Sequence, residues 1–315
     1  MKKQLKKYGF TIVELLTVMS VIAILIGLLV PALNLVNRIA KDTKQKAQFH
    51  SITVALEIYN GEQEAYPESA ALPSGGSAPY TVGAQRLAEA LVGRDLLGYD
   101  PASTWNAADD EAKSDIYASE DAPKNSDYTT EVVPCLDRRK GPYLNPENVE
   151  AYQIEQLYSL DPGDVYDGNN TPAPVLTDAY RVKTVTVGDR QVKAGSPILY
   201  YKANTSSKEF YNSDDGTISD AEAQASIFNS IDNEELIDLG HLIKPSELHH
   251  FDNITGVTPA YAEGSKDGRQ LFYDAITNPK IISMNRPYNQ NSYLLISAGF
   301  DGIYGTSDDI FNFNE

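Results

Sequence analysis

A single carboxylate inside a long apolar run has the clearest chemical consequence in this sequence. Glu14 lies four residues into the stretch 10–30, which holds no other charged side chain. At 1.5 Å per residue a helix of this length measures roughly 31 Å, enough to cross the hydrocarbon core of a bilayer. An ionised carboxylate at that depth costs a few kcal/mol unless a cation meets it. Glu14 is therefore predicted to be a functional residue within a transmembrane helix.

Three aspartates near the C-terminus have the chemistry of a hard-cation site. Asp301, Asp308 and Asp309 follow an apolar, strand-like run on a loop that contains Gly302 and Gly305. Calcium takes about six to eight oxygen ligands from carboxylates and backbone carbonyls in a flexible geometry. The pattern favours a calcium loop over the alternative, an acidic β-turn without a metal.

Catalytic residue types are present without catalytic spacing. The four histidines match no zinc motif, and Cys135, the single cysteine, has no neighbouring histidine. Neither a nucleophile elbow nor a phosphate-binding loop occurs. We therefore predict no catalytic residues and no enzyme activity. One cysteine also excludes an intrachain disulfide.

The charge divides the chain into a basic head and an acidic remainder. Residues 1–50 carry eight basic and two acidic side chains, a net charge of +6. Because the whole chain has a net charge of −18, residues 51–315 have a net charge of −24. This balance argues against nucleic-acid binding. The lysines before the apolar run predict a cytoplasmic N-terminus and an exported body. The run is longer than that of a typical signal peptide, and no small-residue cleavage site follows it.

The elements that must position these residues can be read from the hydrophobic pattern. Apolar residues continue at three- and four-residue steps beyond Pro31, which predicts an amphipathic helix that ends near Gly61 with glycine as its C-cap. Pro31 is expected either to kink this helix or to break it at the membrane edge. The predicted fold class is α+β, a long N-terminal helix packed on an antiparallel sheet.

The remainder, 61–315, shows shorter elements. A helix is predicted over 84–97, with Leu87, Leu91 and Leu97 facing inward and Gly93 weakening it. Strands are predicted at 179–187, 197–202 and 293–297, the first two joined by a hairpin-sized polar connection. Ser219 and Glu222 form a capping box that predicts a helix of about 18–20 residues, ending at Gly240. Residues from about 99 to 178 are predicted to form an irregular insertion.

The N-terminal segment closely resembles a known processing signal. Residues 9–16, GFTIVELL, follow four lysines and resemble the type IV prepilin cleavage motif shared by pilins and the pseudopilins of type II secretion. Residues 55–68, ALEIYNGEQEAYPE, resemble the helix-exit segment of major pseudopilins. The C-terminal stretch SAGFDGIYGTSDDIF resembles the calcium loop of the same proteins.

The resemblance implies a set of roles for these residues. A prepilin peptidase would remove the leader, residues 1–9, by cutting after Gly9, and would methylate the new amino group of Phe10. Glu14 would pair with the terminal amine of a neighbouring subunit, and Pro31 would mark the point where the helix loosens within the filament. In the C-terminal loop the implied calcium ligands are Asp301, Asp308 and Asp309.

The implied function is structural. The resemblance predicts a pseudopilin of the bacterial inner membrane, with residues 10–60 as the helix and a periplasmic body, that assembles into a short filament driving protein export. The implied partners are prepilin peptidase, further copies, other pseudopilins, and an inner-membrane assembly platform with its ATPase. A pilin of an extracellular pilus and a membrane-anchored periplasmic binding protein or enzyme are the alternatives.

Overall fold

The computed structural model describes residues 11–69, 82–94, 96–99, 139–145, 149–158, 173–211, 217–252 and 266–313. The chain divides into two compact units, Met1–Thr43 and Lys44–Glu315. Among the described elements a long helix comes first and antiparallel sheets follow it, which confirms the predicted α+β class.

The first helix, α1, spans Ile12–Gln63. Its residues before Thr43 are rich in Leu, Ile and Val, and their side chains are exposed in the single chain. Within the described residues it is the one helix that is long and apolar enough to cross a membrane. The helix continues through Pro31, so the predicted break does not occur, whereas a loosening of the helix within a filament stays a prediction.

The C-terminal part of α1 packs within the second unit through one apolar stripe. Phe49, Ile52, Leu56 and Tyr59 recur at three- and four-residue steps and are buried. The helix ends two residues later than expected. Gly61 lies on the exposed side of the helix and does not end it, and the chain turns only at Glu64, which has a left-handed φ of 58°. Burial of this stripe, and not helix propensity, fixes this part of α1.

Three antiparallel sheets follow in the part of the chain that the structure describes, and one of them is central. The strands are β1 Glu150–Gln153 with β2 Pro174–Thr177, β3 Lys183–Val187 with β4 Arg190–Ala194, and β5 Leu199–Lys202, β6 Tyr293–Ser297 and β7 Ile310–Phe311 in the order β5-β6-β7. Within the pair β5 and β6, Leu199 lies opposite Ile296 and Tyr201 opposite Leu294.

The central sheet separates two apolar cores, because side chains alternate across a strand. On one side Leu295 and Tyr200 join the core that contains the stripe of α1 and the helix α2, Gly83–Val92. On the other side Leu294 and Ile296 pack with the helix α6, Gly268–Ile276. Both faces of β6 are therefore covered, which explains its uninterrupted apolar sequence.

The short helices complete the second core. They are α3 Ile154–Leu157, α4 Asp220–Ala225, a 3-10 turn Ser230–Asn233, α5 Glu234–Ile237 and α6. Ser219 caps α4 through the predicted capping box, with its backbone N–H donating to Glu222 Oε2 at 2.8 Å.

The predicted 18–20-residue helix after Ser219 was wrong in length. The helix stops after Ala225 because Ser226 takes an extended conformation and forms a bridge to Glu209. Asn229 then accepts a hydrogen bond from Ile231 and opens a separate 3-10 turn. Short polar side chains that bond to nearby backbone compete with a continuous helix, and here that competition divides the segment.

The predicted helix over 84–97 is also shorter. Gly93, with a left-handed φ of 81°, ends α2 instead of weakening its interior. Leu87 and Leu91 are buried as expected, but Leu97, beyond that glycine, is exposed.

The predicted hairpin between strands 179–187 and 197–202 was wrong in its pairing. The polar connection itself contains β4, which pairs with β3 across a turn at Gly188-Asp189, and β5 pairs with β6 instead. Polar residues form β4 because this ribbon is largely exposed. The segment 99–178 is not wholly irregular either, since it contains the paired strands β1 and β2.

Candidate functional site

The carboxylate of Glu14 is held in the first turn of α1. The backbone N–H and the hydroxyl of Thr11 both donate to Glu14 Oε2, at 2.9 and 2.7 Å. The backbone N–H of Glu14 donates in return to Thr11 Oγ1 at 3.2 Å. These bonds form a reciprocal capping box, which satisfies backbone donors that a helix N-terminus leaves open.

Sequence analysis missed this box, although the Thr-x-x-Glu spacing of Thr11 and Glu14 could have revealed it. The predicted processing residues Gly9 and Phe10 lie outside the described residues. Glu14 itself is exposed in the single chain, at the start of a helix whose surrounding side chains are apolar and equally exposed. The charge is thus kept in place locally and remains accessible to a partner.

The second predicted site lies between β6 and β7. Asp308 folds this loop upon itself, because its Oδ2 accepts from the backbone N–H groups of Phe300 at 2.8 Å and of Asp301 at 3.1 Å. Its Oδ1 accepts from the hydroxyl of Thr306 at 2.7 Å. One carboxylate therefore links the two halves of the loop.

The other two aspartates bond to nearer backbone. Asp301 Oδ1 accepts from the N–H of Ile303 at 2.8 Å, and Asp309 Oδ2 accepts from that of Gly305 at 2.7 Å. Gly302 and Gly305 have left-handed φ values of 77° and 93°, which glycine adopts without steric cost. These turns bring all three carboxylates into one loop.

The carboxylates of this loop affect each other. Burial and the neighbouring Asp308 raise the pKa of Asp301. Burial acts on Asp308 in the same direction, but hydrogen bonds from Thr306, Asp301 and the backbone outweigh it and lower the pKa of Asp308. Burial also raises the pKa of Asp309 well above its usual range. Among the described residues no donor reaches its buried Oδ1 atom.

These features allow a direct test of fit to a cation. Two interacting carboxylates and one orphaned, buried carboxylate oxygen are groups whose charge a cation would compensate. In the described ranges, however, no three His, Cys, Asp or Glu side chains form a cluster that could hold a metal. A calcium ion would thus depend on Asp301 and Asp308 together with backbone oxygens, because the predicted third ligand, Asp309, is not brought into one cluster with them.

Histidines hold this loop from outside, a role the sequence did not reveal. The Nδ1 atom of His241 accepts from the N–H of Lys244 at 3.2 Å, so Nε2 carries the proton. That Nε2–H group donates to the backbone oxygen of Asp301 at 3.1 Å. The imidazole lies against Gly302, where a side chain would collide with it at 2.9 Å.

The adjacent pair His249 and His250 serves the same loop. Nδ1 of His249 accepts from the N–H of Tyr304 at 3.1 Å, and Nδ1 of His250 donates to the backbone oxygen of Gly305 at 3.1 Å. Burial lowers the pKa of His249 to about 3, so this ring stays neutral and keeps its acceptor. Adjacent histidines are poorly spaced as ligands of one metal ion. The same spacing lets this pair bond to the backbone of two adjacent residues, Tyr304 and Gly305.

A separate buried acid lies beside a polar cavity of about 360 Å³ near the 3-10 turn. Asp232 accepts from the hydroxyl of Ser69 and from Nδ2 of Asn229, the latter at 2.6 Å. Burial raises the pKa of Asp232 to about 7, and nearby Glu68 acts in the same direction, whereas the two hydrogen bonds and Arg86 act to lower it. Asp232 is therefore a candidate for a pH-dependent contribution to stability outside the two predicted sites, as is Asp238, whose pKa burial also raises to about 7.

Comparison with known proteins bears on the N-terminal site alone. The family model described as the prokaryotic N-terminal methylation motif matches residues 5–30. This match confirms the predicted resemblance to type IV prepilins for that segment, which contains Gly9, Phe10 and Glu14. No curated protein and no solved structure matches the chain.

Replacement of Asp232 by Asn should change how stability depends on pH. The usual pKa of Asp in an unfolded chain is about 3.9, and in the folded state it is about 7. Between these values the folded state binds more protons, so the free energy of unfolding of the wild type falls as pH rises. The Asp232→Asn variant should lose the part of this fall that Asp232 contributes, which is about 4 kcal/mol at most, and should keep the part due to Asp238, whose pKa is also raised to about 7.

Chemical unfolding of the full chain in detergent, at several pH values between about 4 and 7, measures the difference. The exposed turn residue Asp189 provides the control variant Asp189→Asn. If the wild type and Asp232→Asn lose stability in parallel across this range, the buried acid does not titrate as described.

Proposed function

We propose that this chain, a type IV prepilin-like protein, is a pseudopilin subunit of a type II secretion pseudopilus. The motif implies processing by prepilin peptidase and assembly with other pilin-like subunits, and the apolar helix fits a membrane-anchored protein. The finer proposal is an inner-membrane protein with a periplasmic body that adds to a short filament driving export. The observation that carries it is the single carboxylate, Glu14, in the apolar helix and within that motif.

The proposed role of Glu14 is to bind the amine that processing creates on a neighbouring subunit. Cleavage after Gly9 would expose the amino group of Phe10, which the peptidase would then methylate. Both donors of Thr11 occupy Oε2 of Glu14, so Oε1 can receive an incoming ammonium without loss of the capping box. In a low dielectric such a pair is favoured over an isolated carboxylate, because each charge offsets the desolvation of the other.

A pseudopilin is favoured over an extracellular pilin by the cysteine content. Pilins resembling this N-terminus usually carry a C-terminal disulfide loop, which the single Cys135 cannot form within one chain. The aspartate loop at the C-terminus supports the same choice. An anchored periplasmic binding protein or enzyme would share the helix but would not require cleavage or a paired Glu14.

Calcium in the loop between β6 and β7 is part of the proposal. Asp301 and Asp308 would bind the ion with backbone oxygens, and the charge of the buried Asp309 would be compensated. The ion would stabilise the body by binding the folded state and not the unfolded chain.

The mature N-terminus gives the first test. Mass spectrometry of the protein from its native membrane should show a chain that begins at methylated Phe10 and lacks residues 1–9. A protein that retains its leader would contradict the proposal and would favour a plain membrane-anchored domain.

Two substitutions at Glu14 separate charge pairing from helix capping. Glutamine can replace glutamate in a capping box but carries no charge, whereas alanine removes both functions. Glu14→Gln and Glu14→Ala should each insert into the membrane and abolish filament assembly, measured by electron microscopy of sheared filaments and by immunoblotting. Ser20→Ala, in the same exposed helix, is the control. Normal filaments from Glu14→Gln would show that Glu14 acts only as a cap.

Calcium should raise the unfolding temperature of the full chain by several degrees relative to chelator, measured by calorimetry in detergent. Asp308→Ala should lose this response. Asp309→Asn keeps an oxygen for the N–H of Gly305 and removes the charge, so its response should shrink. The exposed Asp189→Asn should respond like the wild type. Identical wild-type curves with calcium and with chelator would refute the metal.

A further inference from the structure

An apolar loop tip projects from the body between α6 and β6. Ile282 is 94% exposed, Met284 54% and Ile281 36%, and all residues from 279 to 285 are exposed. Three large apolar side chains in a run of four residues are unfavourable in water unless a partner covers them. We name residues 278–286 the tip loop.

The tip loop is held in shape at its base. The N–H of Asn278 donates to the backbone oxygen of Arg286 at 2.8 Å, and Thr277 forms an antiparallel bridge with Pro287. Asn278 Oδ1 accepts from the N–H of Lys280 at 3.0 Å. Because these bonds fix the loop before any partner binds, association would cost little additional conformational entropy.

Two cations flank the apolar tip. Lys280 and Arg286 lie on either side of the Ile281–Met284 run, and neither forms an ion pair with a described residue. Arg286 instead donates to the backbone oxygen of Lys208 at 2.8 Å, which places a third cationic residue, and a second lysine, next to the tip loop. A cationic, apolar projection on a region with a net charge of −24 is a marked local reversal of charge.

The complementary surface lies on the outward side of α1 in the same unit. Val54 is 46% exposed and Ile58 48% exposed, one helical turn apart and opposite the buried stripe. Three exposed acidic residues, Glu57, Glu62 and Glu64, lie on the same stretch of chain, and the carboxylates of the first two accept from tyrosine hydroxyl groups. We name residues 54–64 the acidic face.

The two surfaces match each other in chemistry. Each has an apolar centre of two or three aliphatic side chains, and the charged rims are opposite in sign. Gly61 on the acidic face has nothing within 4 Å of the position a side chain would occupy, which leaves open space beside Ile58. Opposite rims orient an encounter, and apolar burial at the centre supplies most of the affinity.

We infer that the tip loop of one copy docks on the acidic face of a second copy of this chain. The contact is heterologous, since different surfaces meet, so repetition leads to a ring or an open filament and not to a two-fold symmetric dimer. Its biological role rests on the proposed function, because pilin-like subunits assemble with one another. An anionic lipid surface would also attract a cationic apolar tip, but it offers no counterpart to the exposed Val54 and Ile58.

Self-association of the full chain in detergent micelles, followed by sedimentation velocity, tests the contact. Ile282→Asp should weaken association about tenfold or more, because it places a charge in the apolar centre. Ile243→Asp is the matched control, because Ile243 is 52% exposed elsewhere on the body. Circular dichroism checks that both variants remain folded, as expected for exposed positions.

A charge exchange gives the more specific result. Lys280→Glu and Glu57→Lys should each weaken association, and the double variant should restore most of it, since opposite rims are then re-created. Absence of any loss in Ile282→Asp, an equal loss in Ile243→Asp, or no recovery in the double variant would overturn the inference. Loss of binding to anionic phospholipid vesicles by Ile282→Asp, with self-association unchanged, would overturn it in favour of a lipid surface.

These outcomes are separate from those that decide the proposed function. The association measurement needs neither cleavage after Gly9 nor the charge of Glu14. A retained leader with association that still depends on Ile282 would refute the pseudopilin and keep the contact. A methylated Phe10 together with association that does not depend on Ile282 would support the pseudopilin and refute the contact.

Discussion

The bond between Thr11 and Glu14 is the constraint on which the membrane-anchored end of this protein depends. A carboxylate in an apolar helix must be neutralised, moved or paired, and here two donors from one residue hold it at the helix start. The capping box explains how the acid can persist in a single chain, and the helix N-terminus itself favours a negative charge. In the proposed function, the remaining lone pairs are the place where a second subunit binds. On that proposal, stability of the monomer and recognition of a partner use one side chain.

The body depends on a different constraint, which is the burial of β6 on both faces. Its alternate residues belong to two cores, one with α1 and one with α6, so neither core can shift without the other. The loop that carries Asp301 and Asp308 leaves this strand directly and returns as β7. A loop between two strands of a doubly covered sheet starts from fixed ends, which lets two interacting carboxylates, Asp301 and Asp308, be placed close together at a tolerable cost.

Features with local or strongly periodic signals could be predicted from the sequence. The apolar run and its acid, the stripe from Phe49 to Tyr59, the strand at 293–297 and the Ser219 capping box were of this kind, and the structure confirms them. The failures had tertiary causes. The strand pairing of 197–202 depends on a segment almost a hundred residues away, and β4 is polar because its ribbon is exposed. The three histidines around the C-terminal loop carried no recognisable spacing, since their partners are backbone groups.

The histidines also bear on what a cation could do in that loop. His241, His249 and His250 each bond to its backbone without using a carboxylate, and Asp308 closes it with backbone donors. The loop therefore has its shape from hydrogen bonds to histidine rings and backbone groups and from one acid that is already satisfied. Two unfavourable features remain, which are the proximity of the Asp301 carboxyl to that of Asp308 and the burial of Asp309. A bound ion would relieve that penalty and would not have to build the loop, so its effect would fall on stability more than on conformation.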